Sequence, residues 1–494
     1  MFNRQLLQRE WAAFRRPGRL VAFALAAVAV IALGLLPAFG VQSSCPGPCP
    51  VAPTAADGST VADRFWFVHR DLDAEGSITV RLTDMTGTIT YPPPDHDEIV
   101  SGLVPWAKTG VIIKDGTEQG SAYAAVMMTG EHGVRMQHDY KHDVAGSPGQ
   151  ATPTSPRWLR LTRDGDDITG YESADGEQWD EIGTATLDGL PDTVQVGLFA
   201  ASPGDLTLDP VGWGGAVETV RFTQASGVFD QVSLEGAADG EWRSEAVGEM
   251  NQTDWEKDHR SSGSSENAGE IIVTGTGDIG PLSDEGFNLL RLLLLGLPIG
   301  LVLLVVVAAR WGARTAATDS RQTFVAQATV LAAASFSTVL VTVGAAVLGG
   351  QAILRFREVP VPHLTLLTGT RVIVGLAVVS ALCAVFTYCL GTLLRRGWAA
   401  VLGGLLLTVI PYVVATNPFL PDEVDRWILR VTPAAAFAVQ QTGAEYPQVV
   451  AHFAPSNGYF PLPAWVGLAV LCAYLVVVWW AAIRRLEAHA VDWR

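Results

Sequence analysis

Acidic side chains at alternate positions, Asp71-x-Asp73-x-Glu75, are the first arrangement in this chain that could do chemistry. Residues two apart on a strand share a face, and glycoside hydrolysis needs two carboxyls about 5–9.5 Å apart. A solvated acidic loop explains them as well. Asp164, Asp166 and Asp167 offer hard oxygens to calcium, and equally the Asp-Gly of a hairpin turn. His132, His138 and His142 invite a metal reading, but their segment reads as strand and loop, so His138 and His142 lack a common helical face. Cys45 and Cys49, in SSCPGPCP, are a candidate disulfide pair outside a membrane, although Pro-Gly-Pro between them resists so small a loop. Two cysteines alone do not make a zinc site. Trp106, Tyr123, Trp158, Tyr171 and Trp179 could stack on a sugar ring or pack within a strand core. No G-x-x-x-x-G-K-[ST] loop is present to cradle nucleotide phosphates. No catalytic group, metal or cofactor is therefore expected, and the chain is not expected to be an enzyme.

The elements that would position these groups are set by hydropathy. Leu20 to Val41 is an uncharged run long enough to cross a hydrocarbon core of roughly 30 Å as a helix. A secretory signal is its rival, because Ala38-Phe39-Gly40 resembles a cleavage site, yet a signal's apolar core is shorter. Further runs cover Phe287 to Ala309, Val325 to Leu348, Val372 to Leu394, Ala399 to Val414 and Trp465 to Ile483. Six spans follow, one before a long polar insert and five after it.

Arginines near span ends are retained on the cytoplasmic side. Arg4, Arg9, Arg15, Arg16 and Arg19 precede the first span; Arg310, Arg314 and Arg321 join the second to the third. Arg395 and Arg396 join the fourth to the fifth, and Arg484, Arg485 and Arg494 follow the last. With alternating helices these fall on one side. Arg355, Arg357, Arg371, Arg426 and Arg430 fall on the other and weaken the bias without reversing it. The reading is a multi-pass protein of the cell membrane with both termini cytoplasmic and residues 42–285 extracellular.

Charge separates along the chain. Residues 42–284 carry about forty acids against about fourteen bases, and the remainder is net positive by about nine, for a total of -17. An acidic exterior lacks the basic footprint that nucleic acid needs. Few charges lie inside the runs, where each would be costly. Arg291 and Arg371 sit near outer ends and can snorkel; Pro298 and Pro411 can kink their helices, and Gln327 can bond between them. A pathway without charges hints at an amphipathic or lipid-like cargo.

The insert alternates in short strands: Ser77 to Leu82, Thr109 to Ile113, Ala122 to Met127 and Trp158 to Arg163, with turn signals at Asp164-Gly165 and Asp175-Gly176. Many strands without a helical stretch predict a β-sandwich over 63–235, after a linker at 42–62. A polar linker and one more strand at 236–285 lead back to the membrane. The blocks GSITVRLTDM, PWAKTGVIIKDG, SAYAAVMMTGEHGVRMQ, PRWLRLTRDGDDITGYESADGEQWDEIG and PDTVQVGLFAAS resemble, in order, the concanavalin A-like domain family named after "regulation of enolase". That resemblance implies a jelly-roll sandwich that binds a cell-surface glycan or other extracellular ligand.

Residues 1–19 form a basic amphipathic helix with Leu6, Leu7, Trp11 and Phe14 at helical spacing, ended by Pro17-Gly18. Residues 286–484 hold the five later spans, and 485–494 are a cytoplasmic tail. This order resembles the ABC-2-type exporter permease family. Supporting blocks are LLRRGWAAVLGGLLL, RVTPAAAFAVQQTG, the C-terminal PAWVGLAVLCAYLVVVWWAAIRRLEAHAVDWR and TGTGDIGP, the first and last most similar to actinobacterial members. The loop after the second span departs from the family's acidic-aromatic-arginine opening, reading Ala309-Arg310-Trp311-Gly312-Ala313-Arg314. The resemblance implies a soluble ABC ATPase as partner, a second permease chain, identical or homologous, in the lipid bilayer, and Arg310, Arg314 and Arg321 in the ATPase-coupling loop. The rival readings are a non-transporting receptor that displays a lectin-like domain and a membrane-tethered glycosidase.

Overall fold

The computed structural model describes residues 4–41, 52–90, 98–237, 240–248, 261–282, 289–315, 320–359, 361 and 365–492. Two helices open the chain, α1 (Arg4–Phe14) and α2 (Pro17–Gly40), parted by a break whose Pro17 supplies the first helical position of α2. Among the described residues seventeen strands follow between Val61 and Pro281. The chain then returns to helices: α3 (Leu289–Leu293), α4 (Leu297–Thr315), α5 (Arg321–Phe356), α6 (Leu366–Leu394), α7 (Gly397–Ala415), α8 (Asp422–Val431) and α9 (Ala464–Asp492).

Six of these, α2, α4, α5, α6, α7 and α9, are long and apolar enough to cross a membrane. Local chemistry sets their ends. Ser320 Oγ accepts from Thr323 N at 3.3 Å to start α5, and Thr365 Oγ1 accepts from Thr368 N at 3.2 Å to start α6. In α7 a π-helical turn, Leu405–Val409, precedes Pro411, which has no N–H to donate. Helix α6 is the most enclosed, while α2 and α9 are the most exposed along their sides.

The β domain is a strongly paired antiparallel body around β2 (Phe65–Thr90). The sheet runs in the order β10 (Asp180–Thr186), β9 (Asp167–Ser173), β8 (Arg157–Asp164), β2, β11 (Val194–Ala201), β4 (Lys108–Lys114), β5 (Tyr123–Thr129), β6 (Val134–His138) and β7 (His142–Ala145), and β13 (Gly215–Ala237) adds along the far half of β2. Its main core gathers Leu72, Ile78, Val80, Val111, Val126, Leu159, Leu161, Val196 and Leu198. A second, smaller core lies across β4 (Lys108–Lys114), β5 (Tyr123–Thr129) and β11 (Val194–Ala201), with Phe65, Phe67, Ile112, Tyr123 and Phe199. Strand β4 is consequently buried on both faces, which its apolar run VII permits.

The second core is roofed by the chain's way in and way out. Strand β1 (Val61–Asp63) pairs antiparallel with β17 (Ile279–Pro281), Val61 opposite Pro281 and Asp63 opposite Ile279. Two wholly buried lysines hold this neck down. Lys114 Nζ lies 2.8 Å from Asp63 Oδ2, which also accepts from Tyr140 OH at 2.7 Å and Gly120 N at 2.8 Å. Lys108 Nζ lies 2.6 Å from both Asp278 Oδ1 and the Ile279 carbonyl. A buried ion must be paired to be tolerated, so each lysine fixes one neck strand against β4.

Candidate functional site

Helix α1 lays one stripe against the helical body: Leu6, Leu7, Glu10 and Phe14, the spacing of one helical face. Phe14 meets the rings of Phe23 and Trp311, each at 5.3 Å, and Arg19 lies 4.3 Å over Trp311. The unexpected member is Glu10, which is 5% exposed. Its Oε2 accepts from Gln327 Nε2 at 2.7 Å. Gln327 Oε1 in turn lies 2.5 Å from Thr315 Oγ1 and accepts from Tyr388 OH at 3.3 Å. One buried polar cluster thus ties α1 to the end of α4, the start of α5 and the middle of α6.

Two glycines let α4 and α6 touch beside that cluster. A Cβ at Gly312 would stand 2.0 Å from the Tyr388 carbonyl, and one at Gly391 would stand 2.4 Å from that of Ala309. Thr392 Oγ1 donates to the Gly312 carbonyl at 3.2 Å. Outside this joint lie the three arginines of the expected coupling loop, all exposed. Arg310 and Arg314 are four apart and share a face of α4. Arg321 opens α5, 3.7 Å from Glu487 of α9. Residues 316–319 between them lie outside the described residues. The arrangement is a basic rim beside a closely packed joint of α1, α4, α5 and α6. Replacing Glu10 by alanine should lower stability by about 1–3 kcal/mol, because the buried Gln327 amide loses its acceptor. Thermal unfolding of the detergent-purified protein checks this, and Glu10→Gln should lose less.

The β domain sits at the opposite end of the bundle. The turn between β12 (Asp205–Val211) and β13 meets the segment after α7: Trp213 N donates to the Phe419 carbonyl at 3.2 Å, and a Cβ at Gly215 would stand 2.1 Å from the Pro418 carbonyl. Gln448 Nε2 donates to the Lys141 carbonyl at 3.0 Å. Nearby, His452 Nε2 lies 2.6 Å from Asp422 Oδ2. Asp425 is 1% exposed, and its Oδ1 finds no hydrogen-bond partner among the described residues. Burial, helped by the neighbouring Asp422, pushes its carboxyl up from 3.8 to about 7. The native state therefore holds this proton more tightly than the unfolded chain does. Stability is fully present below pH 3.8 and is lost as pH rises from there through about 7. Asp425→Asn should flatten that slope and raise the unfolding temperature at pH 8, read by melting curves from pH 4 to 8.

The expected sugar-stacking aromatics separate into two groups. Tyr123 is wholly buried in the second core, and Trp106 is 7% exposed and stacked on His132 at 4.1 Å. Neither can meet a ligand ring, which corrects their grouping with the rest. Trp158 and Tyr171 are half-buried on one outer face of β8 (Arg157–Asp164) and β9 (Asp167–Ser173), because Arg160 pairs opposite Tyr171 and Trp158 lies two residues before Arg160. Trp179 joins them, with Arg160 stacked 3.8 Å over its ring.

The acidic candidates are engaged locally. Asp71 accepts from Gln195 Nε2 at 3.1 Å and pairs with Arg243, while Asp73 and Glu75 are exposed. Asp166 accepts from Gly189 N and Leu190 N at 3.0 and 3.1 Å, and Asp167 from Thr186 Oγ1 at 2.6 Å. His138 and His142 are cross-strand partners with rings 4.4 Å apart. Groups of three or more side chains able to hold a metal do not occur among the described residues. Cys45 and Cys49 lie outside the described residues.

Sequence reasoning missed Glu10, Asp425 and the two buried lysines. Each carried a signal: an acid inside an apolar stripe, an acid one turn from the apolar side of a short helix, and lysines that bracket a run buried on both sides.

No protein-family model matches the chain, and no curated protein matches it. Among solved structures it is similar to a functionally unknown protein from Saccharomyces cerevisiae, at 14% identity over 39% of this chain and 85% of that one, with a TM-score of 0.23. A scytalido-glutamic peptidase bound to a transition state analog inhibitor matches at 9% identity over 44% and 99%, TM-score 0.27. The GH43 protein BlXynB from Bacillus licheniformis matches at 15% identity over 33% and 28%, TM-score 0.21. Likenesses this low carry no argument about activity.

Proposed function

We propose that this chain is the membrane-spanning permease subunit of an ABC-type exporter, working with a soluble ATPase and a second permease chain. Its termini lie in the cytoplasm, and residues 42–285 are extracellular, with a concanavalin A-like binding domain over 63–235. The observation that carries this reading is the joint at the arginine end of the bundle. There the basic rim of Arg310, Arg314 and Arg321 is fastened through Thr315 and Gln327 to Glu10 of the N-terminal helix, at the end away from the β domain. Motor-driven closure against such a rim would move several helices at once, as alternating access requires. The ABC-2 resemblance of the sequence supports the same assignment, and a chain without a G-x-x-x-x-G-K-[ST] loop is in keeping with an ATPase on a separate subunit.

The test is to purify the intact protein from its native membrane and identify bound subunits by mass. An ATPase should co-purify, and its hydrolysis should rise on assembly. Charge reversal at Arg310 and Arg314 should return hydrolysis to the level of the ATPase alone. Protease added to whole cells should cut within 52–282 and spare the tail beyond Arg485. An ATPase-free preparation would sink the transporter.

One observation favours a second reading, a receptor that displays a glycan-binding domain: the outer face of Trp158, Tyr171 and Trp179 with Arg160 among them. Glycan binding abolished by Trp179→Ala, in a protein with no ATPase partner, would favour it.

A further inference from the structure

Between the first turns of α6 and α9 lies an open cavity of about 1110 Å³, roofed by residues 441–445. That volume is at the upper end of ligand pockets, which run to roughly 1,000 Å³. Its polar wall holds three guanidiniums, Arg371 from α6 and Arg426 and Arg430 from α8, against the single carboxylate of Glu445. Arg371 donates to the Gln441 carbonyl and Arg426 to the Phe453 carbonyl at 2.6 Å, while Arg430 lies 5.4 Å over Trp427. None of the three pairs with a carboxylate among the described residues. The other wall is apolar, with Leu367, Val374 and Leu468. At its mouth Leu366, Leu367 and Trp465 are 89%, 82% and 73% exposed.

Three arginines free of acids are out of keeping with a chain whose β domain, at this same end, is strongly acidic. Guanidiniums without carboxylate partners favour phosphate oxygens, which they can hold in pairs of hydrogen bonds. An apolar wall continuing out to bare leucines at the end of two long apolar helices favours a hydrocarbon chain. We infer that this cavity binds an anionic phospholipid of the outer leaflet, its phosphate at Arg371, Arg426 and Arg430 and its acyl chains along Leu367, Val374 and Leu468. The inference rests on the membrane placement proposed above but on neither the ATPase nor the β-domain ligand. Basic pockets between spanning helices bind lipid head groups on the cytoplasmic side of membranes, and the same guanidinium–phosphate chemistry applies at the outer leaflet.

Native mass spectrometry of the full-length protein in detergent, titrated with phosphatidylglycerol and with phosphatidylcholine of the same acyl chains, tests it. Phosphatidylglycerol should bind more tightly, because the arginines repel the choline cation of phosphatidylcholine, and Arg371→Gln with Arg430→Gln should weaken phosphatidylglycerol by roughly tenfold or more and phosphatidylcholine by less, so that the selectivity is lost. Leu468→Trp, which fills the apolar wall and keeps every arginine, should weaken both lipids. Equal binding of the two lipids, or selectivity that survives the double substitution, overturns the site. Inorganic phosphate that displaces phosphatidylglycerol at equal concentration overturns the lipid and leaves a soluble-anion site. Alkaline carbonate washing of membranes separates the premise: release of the chain would sink the membrane placement itself, whereas retention with no lipid selectivity sinks only this site.

Discussion

Lys114→Met should destabilise the β domain by about 3–5 kcal/mol, because it leaves the Asp63 carboxylate buried with only neutral donors. Lys114 and Asp63 are both wholly buried, so solvent cannot take over the lost partner. Pairing Lys114→Met with Asp63→Asn removes both charges and should return much of the loss, since a neutral amide can still accept from Tyr140 and Gly120. Denaturant unfolding of the two singles and the double gives the coupling. Losses that simply add would mean that the lysine does not hold the neck through Asp63.

Gly312→Leu should be comparably damaging at the other end of the molecule. Its first side-chain carbon would stand 2.0 Å from the Tyr388 carbonyl, and that oxygen is backbone within α6, so the two helices must separate. Overpacking of this kind costs about 1–3 kcal/mol, occasionally more. Separation would also pull Tyr388 from Gln327 and open the cluster that holds Glu10. Gly312→Ala should fall in the same direction with smaller effect. Wild-type melting in either variant would show that α4 and α6 do not cross as closely as described.

The long helices were readable because an apolar run of span length has few other uses. Their ends were less so. The run Val325 to Leu348 is only the middle of α5, which continues through polar turns to Arg321 and Phe356. Helix α8 escaped notice, since DEVDRWILRV is short and mixes acids with its apolar face. In the β domain, alternation along Trp158 to Arg163 marked β8 well, because one face is buried and the other half-exposed. The pairing of β1 with β17 left no local trace. Its partners are separated by the whole domain, and their register is set by lysines on a third strand. The same physics explains the aromatics. Residue type alone does not say which side of a sheet a ring takes, and Tyr123 lies on a strand with no open side. Register does say it: Arg160 opposite Tyr171 puts Trp158 and Tyr171 together.

Because Val61 and Pro281 are paired neighbours, the polypeptide enters and leaves the β domain at almost one point, about 5 Å apart. The domain's two strand connections thus share this one neck, and the β12–β13 turn against Phe419 and Lys141 against Gln448 brace it on the helices at two further places. Exchange of the module for another sandwich keeps the path of the neck and gives up those two contacts. On the function proposed above, the ligand choice of the domain and the mechanical action of the helices are free to diversify separately.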